Sequence, residues 1–511
     1  MMVKKHIAIF ETFAFSIVTY LALIIKWGYE FGRSDHIEVI PYAKILQGSQ
    51  SFKEDFFYQS LINIVPNERW VIASFLSLFG HLELVCLLLH IATTLLLIIA
   101  MEQVGKLLLK NVLLVRISIF LCLVLLYYDY NLGGNDLYYN VLQASNIAKM
   151  FGMWALFFAL KSQWSKTTLL IALSTFIHPI AGLTLAITLY FSLFILLIQR
   201  KVDRKKVILN FLSYLLTGGT FIFLTQVAYW KGGNGIHGDA NSFNIIFRFR
   251  NGHHYMPDMF HMKGWLLMLC CYVLTWWKFH KNEVIKGWLI AFSLGIIIYL
   301  LGLYFKSWSI TSLQWFKLTI WLKYFGILAF FTAINPYLSS FYTIIANRTQ
   351  PFLYILLISC SILFLLYAPK EWFPDGVHYD FGKQKLEDPA VCISLLAKEY
   401  TPENAVFLVP YNFAELSCYG ERACYISDKA NPKYPEAAIE WAKRVSIFYG
   451  LNSESDAMNW NKANQRYNLI LPGKRKYMQD HGITHFISLG KIKGYNYMAN
   501  CGNYYLYRVG E

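Results

Sequence analysis

The sequence is poor in charged residues and lacks the motifs of several common enzyme classes. Only 15% of its 511 residues are charged and 56% are hydrophobic, whereas a soluble protein carries charge on about a quarter of its residues. It contains no Walker loop, no G-x-S-x-G elbow and no H-E-x-x-H motif. The sequence therefore offers no motif for nucleotide hydrolysis or for the familiar hydrolases.

The apolar residues cluster in runs long enough to cross about 30 Å of hydrocarbon as helices. We predict a polytopic α-helical membrane protein with about eleven spans, near residues 6–25, 84–105, 112–128, 147–160, 167–180, 181–198, 207–229, 264–278, 287–305, 316–335 and 351–367. The first run is followed by no small-residue cleavage site, so we interpret it as a retained span. Residues 1–368 would form the transmembrane domain, with long outer loops at 26–83 and 230–263.

The net charge of +15 does not indicate nucleic-acid binding, because the excess basic residues do not lie in the soluble domain. From Pro369 onward there are 17 Lys and Arg against 16 Asp and Glu, so the excess lies in the membrane part. Basic residues fall in alternate loops, which the positive-inside rule assigns to the cytoplasm. We therefore predict a multi-pass protein of the inner (cytoplasmic) membrane, with a cytoplasmic N-terminus and an exported C-terminal domain.

Residues 369–511 alternate helix and strand signals, which predicts a soluble α/β domain. The expected helices are Asp388–Glu399 and Pro435–Tyr449, and the expected strands are Ala405–Val409, Ala423–Ser427, Thr484–Ser488 and Tyr504–Val509.

This domain contains Cys392, Cys418, Cys424 and Cys501. An exported domain lies in an oxidising compartment, where disulfides form. Four cysteines allow three pairings. We predict Cys418 with Cys424 across an apparent turn, which leaves Cys392 with Cys501. A zinc site is the alternative, although no C-x-x-C spacing supports it.

The first outer loop places Asp35 and Glu38 three residues apart, so they share one face if the segment is helical. Two carboxylates there could hold a hard divalent ion such as Mg²⁺ or Mn²⁺, or one could act as general base. A solvated loop with ordinary charges is the alternative reading. Glu54 and Asp55 form a second acidic pair further along.

The other long outer loop contains Arg248, Arg250, His253 and His254. Cations on the outer side run against the positive-inside trend, and guanidinium forks with imidazoles suit a phosphate. We predict that these side chains converge on one outer cavity. The alternative is a loop lying on the headgroups.

Three further residues are weaker candidates. Lys317 lies at the outer half of the tenth predicted span, and Asp129 flanks the Gly133-Gly134 pair together with Asp136. His178 precedes Pro179 between the fifth and sixth spans, where the chain forms either two short helices or one kinked helix.

In its layout the chain resembles the GT-C superfamily of membrane glycosyltransferases. The resemblance rests on the many spans, the acidic residues just after the first span and the exported C-terminal domain. His178-Pro179 with Gly182 and the segment from Arg250 to Tyr255 resemble bacterial membrane proteins of this layout. The Trp-Trp-Asp motif of oligosaccharyltransferases is absent.

The resemblance implies transfer of a sugar from a polyprenyl-phosphate carrier to an acceptor hydroxyl of a glycan or lipid. Asp35 would be the general base, and Glu38 would orient the acceptor or a metal. Arg248, Arg250, His253, His254 and, more weakly, Lys317 would stabilise the leaving phosphate. The alternatives are a transporter or flippase of lipid-linked glycans, and a polysaccharide polymerase.

Overall fold

The structure is a computed structural model, and it describes residues 2–126, 131–232, 240–342, 358–359, 363, 388–428, 432, 434–451 and 460–510. The chain divides into two compact units. Unit 1 consists of residues 1–29, 87–223 and 253–378, and unit 2 of residues 30–86, 224–252 and 379–511. Residues from both long predicted loops thus belong to the same unit as the C-terminal residues.

The described chain up to residue 342 is helical. Its α-helices, in chain order, are α1 Met2–Trp27, α2 His36–Leu46, α3 Phe56–Ile62, α4 Trp70–Leu76, α5 Leu82–Leu108, α6 Val112–Phe120, α7 Ala144–Leu160, α8 Trp164–Ile177, α9 Pro179–Ile198, α10 Arg204–Tyr214, α11 Thr220–Gly232, α12 Ala240–Phe243, α13 Gly252–Tyr255, α14 Met262–Phe279, α15 Glu283–Tyr304, α16 Trp308–Thr311 and α17 Thr319–Tyr342. π-Helical turns lie at Leu121–Leu125, Leu215–Gly219 and Asn244–Arg250.

Within the described residues, six helices are long and apolar enough to cross a membrane: His6–Trp27, Leu82–Leu108, Pro179–Ile198, Arg204–Lys231, Glu283–Tyr304 and Trp308–Tyr337. Val112–Leu125 and Ala144–Leu160 are shorter apolar helices. Every predicted span before residue 351 overlaps a helical segment, and residues 127–128 of the third span lie outside the described residues. The last predicted span, 351–367, lies almost wholly outside the described residues. The figure of about eleven spans therefore stays a prediction.

The His178-Pro179 step separates two helices. Helix α8 ends at Ile177 and α9 begins at Pro179, because proline tolerates the first helical position but not the helix interior. The His178 ring accepts a hydrogen bond from the Ala181 N–H at 3.2 Å and so caps α9. A Cβ on Gly182 would meet the Thr175 nitrogen at 2.3 Å, so glycine allows the two helices to approach closely.

In unit 2 the C-terminal residues form a small sheet with flanking helices. The helices are α18 Pro389–Tyr400, α19 Pro435–Tyr449, α20 Trp460–Ile470 and α21 Arg475–Asp480, and the strands are β1 Val406–Leu408, β2 Ala423–Cys424, β3 His485–Ser488, β4 Asn496–Cys501 and β5 Tyr504–Arg508. The strand order is β2-β1-β3-β5-β4. Strand β1 pairs in parallel with β2 and β3, and β5 pairs antiparallel with β3 and β4. The sequence pattern predicts four of these strands but not β4.

The sheet has a hydrophobic cluster on each face. One cluster contains Trp441 and Phe448 of α19, and the other contains Ile393 and Ala397 of α18. An α/β layered domain is what the alternating helix and strand signals predicted.

The structure contains one of the two expected disulfides. Cys392 is joined to Cys501, with the Cα atoms 6.0 Å apart. Cys418 and Cys424 are buried thiols, so the predicted bond between them is wrong. Cys418 lies in a separate π-helical turn, Leu416–Gly420, whereas the Cys424 sulfur in β2 faces the Ser417 hydroxyl at 3.7 Å.

Candidate anion-binding site

A loop with two consecutive glycines lies at the centre of the candidate site in unit 1. Gly133 and Gly134 have φ angles of +72° and +54°, a left-handed conformation that only glycine adopts without strain. A Cβ on Gly133 would lie 3.3 Å from the backbone nitrogen of Lys317, and one on Gly134 would lie 2.7 Å from the His254 ring. Glycine therefore lets the loop approach Lys317 and the histidine side chain closely.

His253 and His254 are held against this loop by the short helix α13. The Nδ1 atom of His254 lies 2.9 Å from the Gly133 carbonyl oxygen, and the two imidazole centroids are 3.9 Å apart. The next residue, Tyr255, fixes the helix, because its hydroxyl accepts a hydrogen bond from Gln314 and its carbonyl accepts one from Tyr299. The orientation of both imidazoles thus follows from packing on neighbouring helices.

Asp136 fixes the C-terminal end of the glycine loop from its buried side. Its carboxylate is fully buried and lies 3.0 Å from the ammonium of Lys323, itself 2% exposed. The same carboxylate accepts hydrogen bonds from the Asn131 amide at 2.8 Å and from the Leu137 N–H at 2.6 Å. A buried ion pair with these additional hydrogen bonds determines where the loop backbone lies.

Lys149 of α7 makes a second set of contacts to the loop. Its ammonium donates to the Asn135 side chain at 2.8 Å and to the Asp136 carbonyl at 2.5 Å. The Tyr139 ring lies 4.6 Å from the same ammonium, within range of a cation–π interaction. Two buried lysines on different helices therefore hold one loop.

The arrangement suits an anion. Gly134, His253, His254 and Lys317 are half-exposed, whereas Asp136 and the lysines beneath the loop are buried. Imidazolium and ammonium groups that pack against a fixed loop donate hydrogen bonds to phosphate oxygens. The Asp136–Lys323 ion pair and the Lys149 contacts fix the loop around which these side chains are placed.

The two arginines that were expected in the same cavity belong to unit 2. Arg250 donates to the carbonyl oxygen of Asp428 at 2.5 Å. Arg248 lies in the same π-helical turn and is half-buried. Between them, Phe249 packs on the α/β core with its ring 6.1 Å from that of Trp441. Within unit 2, this turn therefore has a packing role.

Asp35 and Glu38 lie where helix α2 begins. Asp35 is the half-buried N-cap residue, and Glu38 is buried in the first turn. The carboxylate of Glu38 is ion-paired with Arg69, which also pairs with Glu68. These carboxylates raise the pKa of the Arg69 guanidinium further above its usual range, against the effect of burial. Arg69 thus balances the charge of Glu38, which makes this carboxylate less suited to bind a metal ion.

Among the residues that the structure describes, no group of three or more His, Cys, Asp or Glu gathers as a metal site. Asp129 lies outside the described residues. His178 caps α9, as described above.

Three residues of the site, Lys149, Asn135 and Tyr139, are not predicted from the sequence. Lys149 could have been found from the sequence, because an ionisable residue inside a predicted span is a functional candidate by default. Asn135 and Tyr139 could not, since their role depends on the conformation of the glycine loop.

Residues 393–447 are similar to a family described as a domain of unknown function, DUF6798. The matched region runs from within α18 to within α19 and includes β1 and β2. Because the match covers a small part of the chain, it is a similarity of this region alone. No curated protein matches the chain.

Proposed function

We propose that the protein is a membrane glycosyltransferase that resembles the GT-C superfamily. It would move a sugar from a polyprenyl-phosphate-linked donor to an acceptor hydroxyl of a glycan or lipid, on the outer face of the cytoplasmic membrane. The observation that supports this most is the site where His253, His254 and Lys317 pack around the Gly133-Gly134 loop. It offers cationic and N–H donors to a phosphate within a unit of apolar helices.

The chemical roles follow from the charge that develops during transfer. As the glycosidic bond to phosphate breaks, negative charge grows on the leaving phosphate, and fixed donors near it lower the barrier. We assign this role to His253, His254 and Lys317. The apolar helices of the same unit would accommodate a polyprenyl chain.

We propose Asp35 as the general base that accepts the proton of the acceptor hydroxyl. Glu38 is less suited to this role, because Arg69 already binds its carboxylate. Such a base contributes roughly a hundred- to ten-thousand-fold in rate.

The proposed topology has a cytoplasmic N-terminus and an exported C-terminal domain. The alternation of basic loops supports it. Reporter fusions at Lys205 and after Glu511 test it, since a cytoplasmic reporter at Lys205 and an exported one at Glu511 are expected.

The activity is tested with the purified full-length protein, a polyprenyl-phosphate sugar and candidate acceptors. Asp35→Asn should reduce transfer at least about a hundredfold, while the elution profile and thermal midpoint stay unchanged. Glu54→Gln is the matched control, because Glu54 is an exposed carboxylate in the same segment. Full activity of Asp35→Asn would remove the assignment of the base.

A lipid flippase is the second candidate, and the buried Asp136–Lys323 pair among apolar helices favours it. The two functions are separable in proteoliposomes. A flippase moves a fluorescent polyprenyl-phosphate sugar across the bilayer without consuming it, whereas a transferase releases polyprenyl phosphate.

A further inference from the structure

The charges of the C-terminal residues are unevenly distributed. Residues 473–477 read Gly-Lys-Arg-Lys-Tyr and residues 491–495 read Lys-Ile-Lys-Gly-Tyr, so these two segments hold five of the 17 Lys and Arg residues after position 368. The remaining C-terminal residues carry 12 Lys and Arg against 16 Asp and Glu. The two short segments contain no Asp or Glu, so each is locally positive within a nearly neutral stretch of chain.

The fold brings the two segments side by side. The Arg475 guanidinium donates to the Gly494 carbonyl oxygen and lies 4.5 Å from the centre of the Tyr495 ring. The Tyr495 hydroxyl donates to the Leu471 carbonyl oxygen at 2.8 Å. We call the resulting surface the basic patch; it consists of Lys474, Arg475, Lys476, Lys491 and Lys493. The last three of these side chains are exposed.

Apolar and aromatic side chains accompany the basic patch. Tyr477 stacks on His481 with the rings 3.8 Å apart, and the Lys474 ammonium lies 5.8 Å from the Tyr477 ring. Leu469 is 79% exposed and Tyr497 is 55% exposed. In sequence, Leu469 is two residues from Leu471, and Tyr497 is two residues from Tyr495, which is hydrogen-bonded to Leu471. Exposed apolar groups beside cations are typical of surfaces that rest on a bilayer, where the former enter the interface and the latter meet phosphates.

We propose that the basic patch binds the anionic headgroups of a lipid bilayer. A bilayer is the occupant that we assign, because the same chain carries helices that are apolar and long enough to cross one. Each Lys or Arg near an anionic lipid surface adds to this attraction. A soluble anionic glycan would also attract the cations, but it would leave the exposure of Leu469 unexplained. The inference does not depend on the proposed transferase activity.

The test is hydrogen exchange of the full-length protein in nanodiscs. Amides of residues 469–497 should exchange about fivefold more slowly in phosphatidylglycerol discs than in phosphatidylcholine discs, and about 0.5 M salt should abolish the difference. The double variant Lys476→Glu and Lys493→Glu should lose the protection. The double variant Lys443→Glu and Lys462→Glu changes two other exposed lysines of the same domain and should retain it.

Unchanged exchange in β1 and β5, which lie outside residues 469–497, shows that each variant is folded. Equal exchange rates in the two lipids, or equal loss of protection in both double variants, would overturn the proposal. Protection by dextran sulfate in phosphatidylcholine discs, with none from phosphatidylglycerol, would also overturn it and assign the patch to an anionic glycan.

Discussion

Asp136 in unit 1 and Asp55 in unit 2 are both buried carboxylates, but different groups compensate their charge. Asp136 forms an ion pair with Lys323, and Lys149 donates to its backbone carbonyl. Asp55 instead accepts hydrogen bonds from three backbone N–H groups, two at the start of α3 and one in β2. One site is held by opposite charges and the other by peptide dipoles.

The difference determines what each carboxylate does. The ions around Asp136 fix two helices and the glycine loop that carries the candidate anion site. Burial raises the pKa of Asp55 to about 7, and its three N–H donors and nearby Arg444 only partly oppose this. Asp136 is therefore a rigid support, whereas Asp55 is a pH-dependent link between α3 and the sheet.

The largest expected effect is the loss of the Asp136 charge. Asp136→Asn leaves the Lys323 ammonium buried without its counter-ion, and removing one partner of a buried pair costs about 3–5 kcal/mol. The thermal midpoint of the purified protein should fall strongly, and polyprenyl-phosphate binding should be lost with it. Asp203→Asn is the control, because Asp203 is an exposed helix cap and asparagine caps equally well. A wild-type midpoint for Asp136→Asn would show that the pair does not hold the loop.

The next effect is the pH dependence contributed by Asp55. Its pKa in the folded state lies above the ordinary aspartate value of 3.8, so the folded protein retains a proton that the unfolded chain releases. This stabilisation is complete below about pH 4 and is lost as the pH rises through about 7, a change of about 4 kcal/mol. Asp55→Asn should therefore flatten the fall in stability between pH 4 and 7.

The measurement is the difference between the wild-type and Asp55→Asn unfolding midpoints at each pH. The difference is needed because His485 also makes the stability depend on pH. Burial lowers the pKa of His485 to about 4, so its contribution to stability is lost as the pH falls from about 6.5 towards 4. Parallel curves for the two proteins would contradict the assigned role of Asp55.

Local sequence patterns predicted the helices and most of the strands, since periodicity and proline position act over a few residues. They did not predict that Glu38 would be bound by Arg69, because 31 residues separate the two. The failure of the predicted Cys418–Cys424 bond has a similar cause. Short spacing permits closure, but the π-helical turn and strand β2 direct the two side chains differently.

A smaller effect is expected from a methyl group in the glycine loop. Gly134→Ala places a Cβ against the His254 ring and should weaken polyprenyl-phosphate binding about tenfold to a hundredfold, or roughly 1.4–2.8 kcal/mol. Gly48→Ala is the matched control: φ is +97° and its Cβ would meet nothing within 4 Å, so it tests backbone strain alone. Equal losses in both variants would remove the steric explanation.

Sequence neighbours can also differ in role. Arg250 and His253 are three residues apart, yet Arg250 belongs to unit 2 and His253 to unit 1. The sequence showed that both were cations or imidazoles on one loop, but it could not show that Phe249 packs on Trp441 while Tyr255 is fixed by Gln314. Within each unit, the packing of these aromatic residues fixes the backbone beside Arg250 and His253.

The most direct test of the anion site is the affinity of the full-length protein for polyprenyl phosphate, measured in parallel for three variants. Lys317→Met and His254→Ala should each weaken binding at least about tenfold, because each removes a donor to the phosphate. Arg250→Ala should stay within about threefold of wild type, because its guanidinium is bound to the Asp428 carbonyl oxygen. A tenfold loss for Arg250→Ala, with unchanged affinity for Lys317→Met and His254→Ala, would contradict the assignment of the site to the glycine loop.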